Sequence, residues 1–293
     1  MFIVIGANGF LGSYVTDALV RNTDGRIIAT YHGNEESLHP GRVEWTKLDI
    51  TNRDDIDSLA RLAGDITKCN IFYFSACHNL DLVKKEPDFA SNINISALEN
   101  FLETFKDAEN LYFSSTDCVY GENTPEYPCF KEDDPTVPLS EYGNQKLAAE
   151  KLVRSYGFNV VRLPFMIGPS LLENKKHFYD NIVEKTLQGQ DFTLADGLWR
   201  SALDYRSVAD ILIKLVSMPD VPQTLNLCGD ESLSKYDVGV LIAKKNNLPL
   251  EHIIKTPEAE IMKLFYETRT SSTAMDNSLL KSVIGVNEIK ISW

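Results

Sequence analysis

This sequence predicts a doubly wound, parallel-sheet α/β fold with a smaller C-terminal lobe, on the evidence of a strand–helix rhythm and a glycine-rich turn after the first strand. Short apolar runs recur at 1–5, 26–31, 43–48, 70–75, 110–115 and 159–163. Helical patterns separate them. The first carries Leu11, Val15, Ala18 and Leu19 at i, i+4, i+7 and i+8, and others span 53–63, 89–105 and 142–156. Such alternation implies right-handed crossovers and a parallel sheet covered on both faces.

Six runs by residue 163 complete the strand count of a Rossmann sheet. After Pro164 the rhythm breaks. The spacing predicts a polar helix over 171–190, an irregular stretch over 192–204 and an amphipathic helix over 208–218. A strand over 224–228, a helix over 234–246 and an apolar run at 279–284 follow. We therefore assign 1–164, with 203–228 returning, to the dinucleotide-binding domain. The remainder, 165–202 and 229–293, forms a smaller substrate-binding lobe on the carboxyl edge of the sheet. The segment 120–139 holds Pro125, Pro128, Pro135 and Pro138 among Glu132, Asp133 and Asp134, which excludes a helix. It reads as a surface loop overhanging a site.

Composition excludes several classes of protein. At 43% hydrophobic and 24% charged residues the chain buries a core and is not globally disordered. Lys and Arg number 29 against 42 Asp and Glu, a net charge of −13. That balance offers no long-range attraction to nucleic acid or an anionic membrane, so local groups must hold any anionic ligand. Cys69, Cys77, Cys118, Cys129 and Cys228 are scattered and odd in number, which fits a reducing, cytoplasmic setting without disulfides or bound metal. No apolar run reaches the roughly 18 residues a membrane span needs, and the first residues are already structural rather than a leader.

Gly6-Ala7-Asn8-Gly9-Phe10-Leu11-Gly12 follows the first strand and opens the first helix. Such a turn brings backbone N–H groups close to a pyrophosphate at a helix N-terminus. The second strand ends near Thr30-Tyr31-His32, where an acid would contact the ribose hydroxyls of NAD. The first acids are Glu35 and Glu36, in the loop beyond. Without that carboxylate nothing repels a 2′-phosphate, so NADP(H) is the preferred cofactor and NAD(H) stays open. Asp49-Ile50 is placed to meet the adenine edge, to cap the next helix, or both.

Tyr142 and Lys146 lie four apart at the start of a helix, on one face. A cation there is expected to lower the phenol's pKa and let Tyr142 pass a proton near neutral pH. The run Leu111-Tyr112-Phe113-Ser114-Ser115-Thr116 ends in hydroxyls at the carboxyl edge of the sheet, where ligands bind. Ser114 and Ser115 suit backbone satisfaction, whereas Thr116 suits a hydrogen bond to a reacting oxygen.

Together, Gly-Ala-Asn-Gly-Phe-Leu-Gly at 6–12, Ser-Ser-Thr-Asp-Cys-Val-Tyr-Gly at 114–121 and Tyr-Gly-Asn-Gln-Lys at 142–146 resemble an extended short-chain dehydrogenase/reductase acting on nucleotide sugars. Further matches run from Glu86-Pro87 through Ala90 to Ile93-Asn94, and along Arg162-Leu163-Pro164-Phe165 to Gly168-Pro169. Ser-Thr-Asp at 115–117 and Glu132-Asp133-Asp134-Pro135 bring it nearest to the dTDP-4-dehydrorhamnose reductase branch. The resemblance implies a catalytic set of Thr116, Tyr142 and Lys146. It implies a cofactor site of Gly6, Gly9, Phe10, Leu11, Gly12, Asp49, Ile50, Ser75, Ala76 and Cys77, with Tyr142, Lys146 and Asn94. Thr116, Asp117 and Phe165 would touch the sugar of a nucleotide-sugar substrate. The implied reaction is hydride delivery to C4 of a 4-keto sugar, with Tyr142 donating the proton.

Related dehydratases carry a Glu where this chain has Cys118, so dehydration is disfavoured. An epimerase that retains NAD stays open. So does a non-catalytic regulatory subunit, since relatives of the reductase branch regulate methionine adenosyltransferase. Arg200 is the stronger candidate for a diphosphate contact, while Lys175 and Lys176 fit a solvated helix face better. Trp199 either stacks on a base or plugs the lobe interface, Arg206 reads as structural, and His78 as an ordinary loop histidine. Family members often pair through helices flanking the sheet, which allows a homodimer.

Overall fold

A computed structural model describes residues 1–33 and 38–292; Glu35 and Glu36 lie outside the described residues. The N-terminal part runs β1 (Phe2–Ile5), α1 (Phe10–Asn22), β2 (Ile27–Tyr31), β3 (Glu44–Lys47), α2 (Arg53–Ala63), β4 (Asn70–Tyr73) and α3 (Leu80–Lys85). It continues with α4 (Pro87–Ser91), a π-helical segment (Asn92–Ser96), α5 (Ala97–Thr104), β5 (Asn110–Thr116), α6 (Glu141–Ser155) and β6 (Asn159–Leu163). These strands and β10 (Thr224–Asn226) form a seven-stranded sheet in the order β10-β6-β5-β4-β1-β2-β3, every pairing parallel. The molecule is thus a doubly wound α/β protein.

Alternation along the strands sorts side chains onto two faces. Val4, Phe72, Tyr112 and Val161 pack beneath Val15 and Leu19 of α1 and Leu212 of α8 (Tyr205–Val216). Ile3, Ile71, Phe113 and Val160 face Leu59 of α2, Phe101 of α5 and Val153 of α6. Both layers are apolar because both faces are covered.

After β6 come β7 (Phe165–Ile167), α7 (Phe178–Leu187), β8 (Phe192–Asp196) and β9 (Trp199–Asp204), then α8 and β10. The chain closes with β11 (Ser232–Leu233), α9 (Lys235–Lys245), β12 (Ile253–Pro257), α10 (Glu258–Met262), β13 (Ser272–Thr273) and α11 (Ser278–Ile284). Strand β9 pairs with β7, β11 and β13, and β8 with β12. Among the described residues no helix is long and apolar enough to cross a membrane.

Four expectations need correction. The stretch expected to be irregular at 192–204 is two strands, β8 and β9, whose partners come from distant parts of the sequence. The helix expected over 171–190 begins only at Phe178, because Asp180 accepts from the His177 and Ser170 N–H groups and halts it there. The helix expected over 89–105 is interrupted by the π-helical turn around Asn94. The 120–139 segment is not merely a surface loop: Tyr120 and Phe130 are buried and stacked 4.7 Å apart.

A buried carboxylate ties these parts together. Glu150 of α6, fully buried, accepts from Ser115 Oγ at 2.6 Å and from Arg162 Nε at 2.9 Å. Its other oxygen accepts from Arg162 (2.8 Å) and Arg154 (2.9 Å). Arg162 also donates to the Tyr120 hydroxyl (2.7 Å), which in turn donates to Asn226 Oδ1 (2.8 Å). Removing one partner of such a pair strands the other charge, so Glu150→Gln should cost about 3–5 kcal/mol of unfolding free energy. Urea unfolding measures this; a loss below about 1 kcal/mol, the scale of an exposed pair, would contradict the role given to this network.

Candidate active site

The site starts where β1 runs out. Gly6 takes a positive φ of +78°, and its N–H donates to Thr30 Oγ1 at 3.0 Å. Gly9 is the N-cap of α1 and supplies no side-chain cap, which leaves the first-turn N–H groups open to a ligand. A Cβ on Gly12 would collide with the Gly6 carbonyl oxygen, so glycine is required for helix and turn to meet. Phe10 turns its ring onto His177, and Leu11 and Gly12 are buried behind the turn rather than lining it.

In front lies a cavity of about 500 Å³ lined by Gly6, Gly9, Asp49, Ile50, Ser75 and Cys77, among others. Asp49 is not the cap of α2; that is Asn52, whose side chain accepts from Asp54 N–H. One Asp49 oxygen accepts from Thr51 Oγ1 (2.7 Å) and Thr51 N–H (2.9 Å), and the other lies 3.6 Å from His32 Nε2. Those Thr51 bonds, with a smaller contribution from His32, hold its pKa below the ordinary carboxylate value. The glycine turn, the uncapped α1 and the size of the cavity suit a dinucleotide. Among the described residues no group of three or more His, Cys, Asp or Glu could hold a metal ion.

The second wall comes from β5 and α6. Thr116 ends β5; its hydroxyl donates to Asp117 Oδ1 (3.0 Å) and accepts from Cys118 N–H (3.2 Å). Helix α6, capped by Ser140, packs so closely on this turn that a Cβ on Gly143 would stand 2.6 Å from the Cys118 carbonyl oxygen. Gly143 thereby brings Tyr142 against the strand end. Asn94, buried in the π-helical turn, grips both the N–H (2.8 Å) and the carbonyl (3.0 Å) of Cys77, and donates to Gln145 (2.9 Å).

The electrostatics depart from expectation. Burial raises the Tyr142 pKa well above its ordinary value, and Cys118, Asp117 and Cys77 add to the rise. Lys146 is not among the groups that shift it. Its ammonium, 2% exposed, sits over the Phe113 ring at 3.9 Å. Burial lowers Lys146 to about 7, against the opposing pull of Glu150. The phenol is therefore a neutral, protonated group, and the lysine is the one that titrates. Burial likewise raises the Cys118 thiol, which removes it as a base.

A second cavity, of about 410 Å³, is lined by Asp117, Cys118, Phe165, Arg200, Lys235 and Arg269, among others. His78 lines both cavities, so it marks their junction. Arg200 donates to Asp117 Oδ2 (2.6 Å) and Thr270 Oγ1 (2.8 Å). Arg269 donates to Asp81 at 3.3 Å. Burial, with Arg200 and Arg269 nearby, lowers the Lys235 pKa. Lys235 and Arg269 went unassigned from sequence; the signal available was that cations are scarce in an acidic chain. Thr116, Tyr142 and Lys146 line neither cavity, although Asp117 and Cys118, which follow Thr116, line the second. Trp199 is exposed and lines neither cavity, Arg206 stands 4.0 Å from Asp17, and Lys176 pairs with Glu184.

The sequence profile of the NAD dependent epimerase/dehydratase family matches residues 2–228, and the chain belongs to that family. Methionine adenosyltransferase 2 subunit beta of Pongo abelii is 24% identical over 269 residues, covering 89% of this chain and 76% of that one. A crystal structure described as a hypothetical dTDP-4-dehydrorhamnose reductase from Sulfolobus tokodaii superposes with a TM-score of 0.81 at 20% identity, over 99% of this chain and 97% of that one. UDP-glucuronic acid 4-epimerase from Bacillus cereus, in complex with UDP-glucuronic acid and NAD, gives 0.80 at 20% identity, over 99% and 94%. At such identities the structural likeness speaks for the fold.

The electrostatics of α6 can be tested directly. Lysine-selective carbon NMR should show one signal, absent in Lys146→Met, that titrates near about 7. A Lys146 signal in the ordinary lysine range would contradict the burial assigned to it.

Proposed function

We propose that this protein reduces the C4 carbonyl of a nucleotide-linked 4-keto sugar with NADPH, in the manner of a dTDP-4-dehydrorhamnose reductase. One observation carries the reading: Tyr142 is a half-buried, protonated phenol whose electrostatic neighbours are Cys77, of the first cavity, and Asp117 and Cys118, of the second. A proton donor with one neighbour in the lining of a dinucleotide-sized cavity and two in that of a cation-lined one suits carbonyl reduction.

In this reading Gly6 and Gly9 face the pyrophosphate, Phe10, Leu11 and Gly12 contribute only first-turn backbone from behind them, and Asp49 and Ile50 hold the adenine end. Ser75, Ala76, Cys77 and Asn94 hold the nicotinamide end. When bound, the reduced nicotinamide supplies a hydride. Tyr142 holds the proton for the substrate oxygen, Thr116 steadies that oxygen, and Lys146, over the Phe113 ring one turn along α6, carries a positive charge below pH about 7. Thr116, Asp117 and Phe165 contact the sugar, and Arg200 the diphosphate. A neutral Cys118 thiol cannot remove a C5 proton, which argues against dehydration. NADPH is preferred because Thr30-Tyr31-His32 carries no acid against a 2′-phosphate.

A regulatory subunit that binds the dinucleotide without turnover is the second reading. It draws on relatives named methionine adenosyltransferase 2 subunit beta, which match most of the chain. Screening nucleotide-linked 4-keto sugars for NADPH oxidation separates the two, and no turnover on any of them would favour the second. Tyr142→Phe should lower turnover by roughly a hundredfold to ten-thousandfold, the usual weight of a general acid, while NADPH still binds. Unchanged turnover would remove Tyr142 from the reaction. For the wild type, kcat/KM should fall as pH rises through about 7, where Lys146 loses its proton, and Lys146→Met should lack that limb. Titration with both nucleotides decides the cofactor. A clear preference for NADH would make Asp49 a ribose ligand and turn the reading toward an NAD-retaining epimerase.

A further inference from the structure

The loop between β7 and α7 joins the two cavities physically. It leaves β7 through Gly168 and Pro169, where the Tyr14 hydroxyl of α1 donates to the Pro169 carbonyl at 2.7 Å. At its far end the Asp180 carboxylate accepts from Ser170 N–H (3.0 Å) and His177 N–H (2.9 Å), which fixes both ends against α7. His177 lines the second cavity and lays its ring 4.3 Å from that of Phe10, in the first turn of α1. Two residues earlier, the Lys175 ammonium donates to the carbonyl oxygen of Asn8, inside the glycine-rich turn. Lys175 is thus neither on a helix face nor at the second cavity. It is half-buried, and the turn it holds lines the first cavity.

Charge gives this placement its meaning. Among the described residues that line the first cavity there is no lysine or arginine, only His32 and His78, and Asp49 adds a negative charge. A pyrophosphate brings two negative charges into a chain whose own net charge is −13. Backbone N–H groups and the α1 dipole supply only partial charges against them. We propose that Lys175 is a dinucleotide-binding residue contributed by the β7–α7 loop, its ammonium stationed at the glycine-rich turn to hold the ligand's pyrophosphate. This rests on the reading of the first cavity as a dinucleotide site. The consequence is that the cofactor site is completed by the part of the chain that also builds the second cavity. Dinucleotide binding and the position of His177 are then coupled through one short loop.

Calorimetric titration of the full chain with NADPH and NADH tests this without any turnover assay. Lys175→Met, which keeps the aliphatic stem, should weaken the better-bound dinucleotide about tenfold or more, the scale of one charge-assisted hydrogen bond. Its affinity should also fall less steeply with salt than that of the wild type. Lys175→Arg should recover most of the affinity. Lys176→Met should bind as wild type, since Lys176 is exposed and paired with Glu184 at 2.7 Å. Equal affinities and salt slopes for wild type and Lys175→Met would overturn the assignment while leaving the dinucleotide site standing. A loss shared equally by Lys176→Met would overturn it too, as it would reduce Lys175 to general charge. A wild type that binds neither dinucleotide would remove the site itself.

Discussion

The structure depends on a carboxylate that has no access to water. Glu150 is surrounded by Ser115, Arg162 and Arg154, and each partner belongs to a different task. Ser115 is the neighbour of Thr116 at the end of β5. Arg162 comes from β6 and reaches on to Tyr120 and Asn226. Glu150 itself lies one helical turn beyond Lys146. A buried charge is tolerated only where its partners stay in place, so the requirement to keep Glu150 satisfied holds β5 and α6 in fixed register. Thr116 is carried on one of these two elements, and Tyr142 and Lys146 on the other.

The same helix shows how burial changes the chemistry that spacing suggests. A lysine four residues from a tyrosine invites the picture of a cation lowering a phenol. Enclosure reverses the weights: desolvation raises Tyr142, and the ammonium over Phe113 loses affinity for its proton instead. The phenol is left as a donor that keeps its proton across the neutral range. The lysine becomes the group that responds to pH.

The second cavity is a local exception to the charge of the molecule. Arg200 from β9, Lys235 from the start of α9 and Arg269 from the segment before β13 converge on it, countered by Asp117 and Asp81. A global negative field gives no help to an anionic ligand, so the attraction has to be built from groups at short range. The short strands beside these cations also explain why the region looks irregular in sequence. Two of its strands are only two residues long, β11 and β13, and they draw their partners from far along the chain.

The periodic parts of the fold were legible in the amino-acid order. Apolar runs buried on both sheet faces, the glycine spacing at 6–12 and the i, i+4 placement of Tyr142 and Lys146 are local patterns with local physical causes. The β8 and β9 strands, the break around Asn94 and the late start of α7 at Phe178 were not legible. The first two are imposed by partners distant in sequence, β12 and β13 and the Cys77 peptide, and the third by the Asp180 carboxylate folding back onto the His177 and Ser170 N–H groups. The sequence by itself therefore determined the sheet, its glycine-rich turn and the residue types available for chemistry. Tertiary structure alone decided which cations meet in the second cavity, that Lys175 reaches Asn8, and which member of the Tyr142–Lys146 pair titrates. Convergence and desolvation depend on the packing of remote segments, and no local pattern encodes them.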